Sequence, residues 1–362
     1  MIRKVTFVIR QSGTASAFIP LLEELNRHED FVVSILAFEL SHALLENSGL
    51  EFIKIDNFSD ALQYLRADID YLVTGTSEMV EDDESFWKWS NENQIPSLAF
   101  VDQWSNLAKR FDCNNLPTQI GVIDEKAKDE LESFLAGRCP IQITGSPVFD
   151  SLKNNINTPY RSSNPIRILF VLEPDISGMN EDEIRSLQGF TEYDCLRAGL
   201  ETTRKCAHQL KIPLSFTLKP HPRDDQMLIE GLLKRLESDV PDFPIKVCLG
   251  SKEEALIDSD IVMGMRSMLL LEAAFVHKPV ISIQLNRKHP SSLTDDRKDI
   301  KVAVSEREVN LHLKSCITSP ITHGEYDNKD IQGFCAIDRF MKILKGHRRH
   351  KTPMVELRAA CS

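Results

Sequence analysis

Short apolar runs that alternate with helical segments limit, more than any other feature, what this chain can fold into. The strand-like runs of the first half are Lys4–Arg10, Phe31–Ala37, Glu51–Ile55, Tyr71–Gly75, Ser97–Val101, Ile120–Ile123 and Pro140–Thr144. Helical segments such as Ala17–Arg27 and Leu40–Asn47 lie between them. Mostly apolar strands separated by helices are typical of parallel sheets that are covered on both faces. We therefore predict a doubly wound α/β domain.

A second series of the same kind begins after a polar linker, Lys153–Pro165, whose Asn, Ser and Pro residues favour turns. Its strand-like runs are Ile166–Leu172, Leu214–Leu218, Ile245–Leu249, Ile261–Met263 and Val280–Gln284, and its helical segments are Tyr193–Leu210, Gln226–Leu236, Met265–Val276, Arg307–Leu313 and Gln332–Leu344. The 362 residues are enough for two domains. We predict two doubly wound Rossmann-like domains, residues 1–155 and 165–345, which face each other across a cleft, and a basic tail, residues 346–362.

The charge of the chain argues against a protein that grips a long nucleic acid. The formal net charge is −11, whereas such binding needs a concentrated basic stripe. No secretory signal is visible, the apolar stretch Ile261–Ile283 is interrupted by Arg266 and Glu272, and the cysteines form no C-x-x-C pair. We expect a cytoplasmic protein. Its basic run Lys345–Lys351 is a candidate contact with anionic lipid at the inner face of the membrane or with a polyanionic acceptor, and the alternative is a solvated tail.

One loop of the second half combines stiffness with positive charge. It is Leu218–Asp224 (L-K-P-H-P-R-D), which follows a predicted strand, and ligands of open α/β sheets bind at that end of the strands. Its prolines stiffen the backbone around Lys219, His221 and Arg223. We predict a phosphate or pyrophosphate site, at which His221 would hydrogen-bond or protonate a leaving phosphate. The alternative is a solvated turn whose prolines end the strand.

A second loop places the start of a helix directly after an apolar strand, within Asp260–Ala274. Free N–H groups and the positive end of the helix dipole favour an anion there, and Arg266 and Ser267 add donors. Glu272, further along the helix, is a candidate to bind the hydroxyls of a ribose. The alternatives are that Ser267 only caps the helix and that Glu272 forms a salt bridge. Glu173, after the first strand of this half, is expected to face solvent, and the alternative is that it faces the sugar.

Two loops of the first half are candidates for the acceptor side. Arg10–Ser16 lacks the G-x-G-x-x-G pattern of dinucleotide-binding proteins, but Gly13 permits a close backbone approach, and we place it with Thr14 beside the acceptor. Asp102 follows another strand and is a candidate general base for an acceptor hydroxyl, with a helix or turn cap as its alternative role. No D-x-D, H-E-x-x-H or His/Cys cluster occurs, so no metal site is predicted.

The motifs of the second half resemble the nucleotide-binding half of GT-B glycosyltransferases. They are K-P-H-P at Lys219–Pro222, G-M-R-S-M-L-L-L-E-A-A at Gly264–Ala274 and K-P-V-I-S at Lys278–Ser282, and T-G-S-P-V-F-D at Thr144–Asp150 is similar to the end of the first domain in that superfamily. By motif the chain resembles bacterial surface-polysaccharide enzymes: sialyltransferase-like proteins, glycerophosphotransferases and UDP-GlcNAc 2-epimerases. A glycine-rich turn expected in these families is replaced here by E-P-D at residues 173–175.

The resemblance implies contact of His221 and Ser267 with a donor phosphate and of Glu272 with a ribose, without a divalent metal or other cofactor. We therefore expect a glycosyltransferase that moves a sugar from a UDP- or CMP-linked donor to a hydroxyl of a surface glycan, a lipid-linked acceptor or a protein. One alternative is an epimerase or hydrolase of the nucleotide sugar on the same fold. Another is a two-lobed binding protein without catalytic activity.

Overall fold

The computed structural model describes residues 2–77, 80–104, 106–111, 114–155, 164–173, 178–221, 224–291, 293–295, 297–318 and 335–346. Its contacts divide the chain into two compact units. The first unit is Met1–Asp150 together with Asp330–Ser362, and the second is Ser151–Lys329. Among the described residues, no helix has both the length and the apolar character needed to cross a membrane.

The first unit contains a parallel sheet of seven strands in the order β3-β2-β1-β4-β5-β6-β7. The strands are β1 (Arg3–Ile9), β2 (Phe31–Ala37), β3 (Ile53–Lys54), β4 (Tyr71–Thr74), β5 (Ser97–Val101), β6 (Gln119–Val122) and β7 (Ile141–Ile143). The helices that follow them are α1 (Ser12–Asn26), α2 (Glu39–Ser48), α3 (Phe58–Ala61), α4 (Val80–Glu92), the 3-10 helix Leu107–Arg110, α5 (Glu125–Leu135) and α6 (Pro147–Asn155). The last of these, α6, begins in the first unit and continues into the second. The chain reverses its direction of winding between β1 and β4, which are neighbours in the sheet.

The second unit contains a parallel sheet of six strands in the order β10-β9-β8-β11-β12-β13. The strands are β8 (Ile166–Val171), β9 (Leu214–Lys219), β10 (Ile245–Val247), β11 (Ile261–Gly264), β12 (Val280–Ile283) and β13 (Ile300–Ala303). Its helices are α7 (Glu181–Gln188), α8 (Glu192–Leu210), α9 (Gln226–Asp239), α10 (Lys252–Ile257), α11 (Met268–Phe275) and α12 (Glu306–Thr318). Here the winding reverses between β8 and β11. Two doubly wound α/β units, as the sequence predicts, are therefore present.

The central strands form because their side chains are buried on both faces of each sheet. All residues of β4, β5, β11 and β12 are buried, as expected for parallel strands between helices. Local signals set the helix starts: Thr191 and Asp194 form a reciprocal capping box at α8, and Asp225 accepts a hydrogen bond from the N–H of Leu228 at α9.

The last described helix, α13 (Ala336–Gly346), belongs to the first unit. The Phe340 ring is fully buried, and its centroid lies 6.0 Å from that of Phe18 and 5.3 Å from that of Phe100. The carboxylate of Asp150 accepts hydrogen bonds from the N–H groups of Cys335 and Ile337, each at 2.9 Å. The sequence analysis placed this segment in the second domain because it follows that domain in the chain, whereas its apolar face packs on the core of the first unit.

Candidate functional site

The ends of three neighbouring strands lie level with one another in the second unit. Val171 of β8 pairs with Lys219 of β9. On the other side of β8, Phe170 pairs with Met263 of β11, so the next residues, Val171 and Gly264, are also level. A Cβ atom on Gly264 would lie 3.0 Å from the carbonyl oxygen of Val171, which shows how closely these strand ends pack.

Glu173, His221 and Arg266 each follow one of these level residues by two positions. They therefore emerge in one row at the carboxyl edge of the sheet, with Glu173 in the middle. Glu173 and Arg266 flank the point where the winding of the sheet reverses, which is where open α/β sheets bind ligands. Neighbouring strands are about 4.8 Å apart, so β9 and β11 are separated by roughly 10 Å. The sequence analysis put the His221 and Ser267 loops at one edge, and the topology has them there, on either side of β8.

The histidine loop is held by bonds within the second unit. Lys219 Nζ donates to the carbonyl oxygen of Gly250, at 2.7 Å, in the loop after β10. The N–H of His221 donates to Asp224 Oδ2 at 2.7 Å, and the N–H of Asp224 donates back to the carbonyl of His221 at 2.9 Å. These bonds join His221 to Asp224, and His221 is half-buried at the sheet edge. Arg223, the third predicted cation, lies outside the described residues.

Ser267 is the N-cap of α11: its hydroxyl oxygen accepts a hydrogen bond from the N–H of Leu269 at 3.2 Å. A hydroxyl that accepts in this way still has its own proton to donate, so the cap is compatible with the predicted phosphate contact. The guanidinium of Arg266 is 5.4 Å from the centre of the Phe190 ring and donates to Gln188 Oε1. Its contacts are thus with α7 and the loop after it.

Glu173 does not face solvent, and the sequence analysis was wrong in this respect. Its carboxylate accepts a hydrogen bond from the N–H of Arg266 and interacts with the main chain of Ser267. Burial raises the pKa of this carboxyl above its usual value, while these N–H groups and the charge of Arg266 act in the opposite direction. The N–H of Glu173 itself donates to Glu192 Oε2 at 2.7 Å.

Glu272 forms the salt bridge that the sequence analysis gave as its alternative role. Its Oε1 accepts from Lys252 Nζ at 2.8 Å, and only 9% of its side chain is exposed. Its Oε2 is buried and has no hydrogen-bond partner among the described residues. A buried acceptor without a hydrogen-bond partner lowers the stability of the folded state. Oε2 of Glu272 is such an acceptor, on α11. The predicted ribose contact stays a prediction.

The three acceptor-side residues of the first unit contact one another. Thr14 Oγ1 donates to Asp102 Oδ2 at 3.3 Å, and a Cβ atom on Gly13 would lie 2.9 Å from the same oxygen. Glycine is therefore what allows α1 to begin this close to the carboxylate. The side chain of Asp102 is 11% exposed and its Oδ1 has no hydrogen-bond partner among the described residues. Burial raises the pKa of Asp102, and Arg110 and the Thr14 hydroxyl oppose that effect.

Arg110 is a residue of this cluster that the sequence analysis missed. Its side chain is 2% exposed, and its Nη1 lies 4.0 Å from Asp102 Oδ1. The same nitrogen donates to the carbonyl of Thr76 at 2.9 Å, in the loop after β4. Arg110 ends a short 3-10 helix and not a strand, so no periodic pattern points to it. The available signal is a cation eight positions after Asp102 in a segment with few other charges.

A second buried ion pair in the first unit also went unpredicted. Arg10 Nη1 lies 3.5 Å from Asp83 Oδ1 and 3.2 Å from Ser77 Oγ. Asp83 accepts from both the N–H and the hydroxyl of Ser77, at 2.7 and 2.8 Å. Arg10 directly follows an apolar strand, and that position was the signal that could have identified it. In the described part of the chain, no three His, Cys, Asp or Glu side chains are arranged to hold a metal ion.

No protein-family model matches this sequence, and comparison with curated proteins gives no match. Solved structures match over nearly the whole chain. A UDP-GlcNAc 2-epimerase from Neisseria meningitidis, solved with UDP-GlcNAc bound, is 14% identical with a TM-score of 0.67, over 95% of this chain and 100% of that one. The UDP-GlcNAc 2-epimerase of Methanocaldococcus jannaschii is 12% identical with a TM-score of 0.65, over 94% and 99%. MurG from Acinetobacter baumannii is 12% identical with a TM-score of 0.54, over 95% and 100%.

The chain has the GT-B fold. In this GT-B chain, one polar cluster lies at the carboxyl edge of each sheet. At the edge of the first unit, the mostly buried carboxylate of Asp102 lies beside the buried Arg110 and the hydroxyl of Thr14. The edge of the second unit has a histidine loop and a helix start on either side of Glu173. The two edges therefore differ in chemistry: the carboxylate of the first lies beside an arginine, and that of the second accepts from main-chain N–H groups beside a histidine loop.

Proposed function

We propose that the chain is an enzyme acting on a nucleotide-activated sugar, with glycosyl transfer to a hydroxyl acceptor as the first candidate reaction. The second unit is the proposed donor domain and the first unit the acceptor domain. The observation that carries the proposal is the row of residues in the second unit, in which His221 and Arg266 occupy equivalent positions after β9 and β11. Support also comes from the fold, which the chain has in common with enzymes of both reaction types.

On the donor side, His221, Arg266 and Ser267 would contact the phosphate, together with Lys219 and Arg223. The hydroxyl proton of Ser267 and the N–H groups at the start of α11 are neutral donors, and Arg266 adds a charge. Their common effect is to stabilise negative charge on the phosphate oxygens as the bond to the sugar breaks. Glu272 would bind the ribose, provided that a hydroxyl replaces or joins its contact with Lys252.

On the acceptor side, Asp102 would act as the general base, with Gly13 and Thr14 beside it. The acceptor oxygen forms a bond to the anomeric carbon, the bond from that carbon to the phosphate oxygen breaks, and the acceptor proton moves to Asp102. The nucleoside phosphate leaves with the electron pair of the broken bond. A carboxyl whose pKa is raised by burial is suited to this task, because a stronger base accepts the proton more readily.

Nucleotide titration tests the donor site. UDP, CDP, GDP and CMP are titrated calorimetrically into the wild type, His221→Ala and the control His208→Ala, which removes an exposed histidine of α8. We expect one nucleotide to bind and His221→Ala to weaken its binding by about tenfold or more, since a charge-assisted hydrogen bond to phosphate is lost. His208→Ala should bind as the wild type does. Equal binding by all three proteins would remove His221 from the site.

Epimerisation or hydrolysis of the nucleotide sugar is the second candidate. The observation that favours it is that UDP-GlcNAc 2-epimerases match this chain with TM-scores of 0.63 to 0.67, against 0.54 for MurG. Incubation with UDP-GlcNAc, without any acceptor, separates the candidates. Glycosyl transfer predicts an unchanged donor, whereas an epimerase inverts the sugar and a hydrolase releases it. Tight nucleotide binding without turnover of any donor would instead indicate a binding protein.

The identity of the acceptor rests on the resemblance to enzymes of surface-polysaccharide synthesis. We propose a surface glycan, a lipid-linked glycan or a protein hydroxyl, reached from the cytoplasm and without a metal cofactor. The basic tail would contact a membrane or a polyanionic acceptor, and its residues beyond Gly346 lie outside the described part of the chain. Activity measured with EDTA and with added Mg²⁺ tests the metal independence.

A further inference from the structure

Glu173 occupies the donors that the proposed function assigns to a phosphate. The residue follows the central strand β8, and its carboxylate accepts from the N–H of Arg266 and interacts with the main chain of Ser267, at the start of α11. Free N–H groups at such a position attract anions, whether the anion is a phosphate or a side-chain carboxylate. In this structure the anion belongs to the chain itself.

A phosphate and the Glu173 carboxylate cannot both occupy these N–H groups. Each N–H group has one proton to donate, and two negative charges about 4 Å apart repel each other by several kcal/mol when partly shielded from water. The charge of Arg266 is also shared between the two anions, because it already opposes the rise in the pKa of Glu173 that burial causes. Binding of a phosphate at this position therefore requires the carboxylate to leave.

The main chain of Glu173 is fixed independently of its side chain. Its N–H donates to Glu192 Oε2 at 2.7 Å, and the preceding N–H, of Leu172, donates to the carbonyl of Lys219 at 2.9 Å. Both bonds remain when the side chain rotates. Departure of the carboxylate thus needs only a rotamer change at one residue.

We propose that Glu173 is a specificity-determining residue that competes internally with the donor phosphate for the N–H groups of Arg266 and Ser267. The inference rests on the proposed phosphate site at the start of α11. Its consequence is that the native chain binds anions there weakly, and that a donor is retained only when its remaining contacts compensate for the displacement of Glu173. A small anion has no such further contacts, so its binding to the native chain is weak.

The test compares Glu173→Gln and Glu173→Ala with the wild type in full-length protein. Gln keeps an oxygen acceptor without charge, and Ala removes the competitor. The control is Glu230→Gln, which removes the same charge from an exposed position on α9. Inorganic sulfate, whose charge does not change between pH 5 and 9, and UDP are each titrated by calorimetry. Circular dichroism checks that every variant is folded.

We expect both substitutions at Glu173 to tighten sulfate and UDP binding by about tenfold or more, because a competing charge is removed. Glu230→Gln should leave both affinities unchanged. If UDP binds the wild type and the folded Glu173 variants equally, or binds the variants more weakly, the inference is wrong and the proposed nucleotide site stands. If the variants gain sulfate affinity but none binds UDP, the inference stands and the proposed function is wrong. If neither sulfate nor UDP binds any of the proteins, both are wrong.

Discussion

Asp102 is contacted by two segments of the first unit, and both contacts oppose the effect of burial on its charge. Burial favours the neutral acid, so it raises the pKa, whereas the Arg110 guanidinium at 4.0 Å and the Thr14 hydroxyl at 3.3 Å favour the carboxylate. A separation of 4.0 Å is within the range of an ion pair and beyond that of a hydrogen bond. Arg110 therefore stabilises the charge of Asp102 without using the hydrogen-bonding capacity of Oδ1.

We expect Arg110→Gln to raise the pKa of Asp102 further, since burial would then act with less opposition. The ionised fraction of Asp102 at a given pH falls, so an activity that needs the carboxylate should reach half its maximum at a higher pH. Titration of the Asp102 ¹³Cγ resonance, assigned with Asp102→Asn, measures the pKa. Arg66→Gln, at an exposed position of the same unit, is the control. An unchanged Asp102 pKa in Arg110→Gln would contradict the role given to Arg110.

Sequence patterns located residues at the edge of a sheet where a strand directly precedes them. His221, Arg266, Gly13 and Asp102 all lie just after apolar strands, and the structure places each at a carboxyl edge. Arg110 reaches Asp102 from a 3-10 helix, through a fold-dependent contact that leaves no periodic signal. The direction of the Glu173 side chain was mispredicted because local charge, taken alone, favours solvent, whereas the N–H groups that bind it come from a segment more than ninety positions away.

At the scale of elements, every predicted strand of the first half is present, because short apolar runs between helices have few other ways to be buried. The second half contains β13 (Ile300–Ala303), α7 and α10, which the sequence did not predict. β13 is short and includes the polar Lys301, so it lacks an apolar run. α7 and α10 are short helices that begin with capping boxes, at Asn180 and Ser251, rather than with a strong apolar period.

Two helices end in the same way, and this allows a matched test of packing. Gly49 follows α2 and Gly189 follows α7, with positive φ angles of 73° and 101°. A Cβ atom at Gly49 would meet nothing within 4 Å, but at Gly189 it would collide with the carbonyl oxygen of Asn286. We expect Gly49→Ala to cost about 1 kcal/mol from backbone strain and Gly189→Ala about 1–3 kcal/mol more.

Urea unfolding, followed separately by circular dichroism and tryptophan fluorescence, measures both glycine variants. Because the two glycines lie in different units, Gly231→Ala, an exposed position of α9 with nothing near its Cβ position, serves as a second control in the second unit. This variant should equal the wild type or exceed it slightly in stability, since alanine favours the helix. Equal losses for Gly49→Ala and Gly189→Ala would mean that the Asn286 segment shifts without cost.

At the scale of the whole molecule, the sequence predicted two α/β units but not which unit the last helix joins. Order along the chain is the only guide that a sequence offers here, and it assigns 336–346 to the second unit. The packing of Phe340 on Phe18 and Phe100 assigns the helix to the first. An amphipathic helix fits many apolar surfaces, so its own pattern does not identify its partner.

The position of α13 predicts that Phe340→Ala destabilises the first unit. A fully buried phenylalanine replaced by alanine leaves a cavity that costs about 3–5 kcal/mol. Lys342→Ala, on the exposed side of the same helix, should be nearly neutral. Thermal denaturation with hydrogen exchange shows which unit loses protection. The assignment fails if Phe340→Ala leaves the amides of β1 and β5 as well protected as in the wild type.

The return of α13 to the first unit also affects how the chain must fold during synthesis. The ribosome synthesises β1 to β7 and then the whole second unit before Phe340 leaves the exit tunnel. Synthesis proceeds at about 5–20 residues per second. The surface around Phe18 and Phe100 of this nascent chain is therefore exposed for some ten seconds or more. The second unit, contiguous in sequence, can finish first, so the order of completion is opposite to the order of translation.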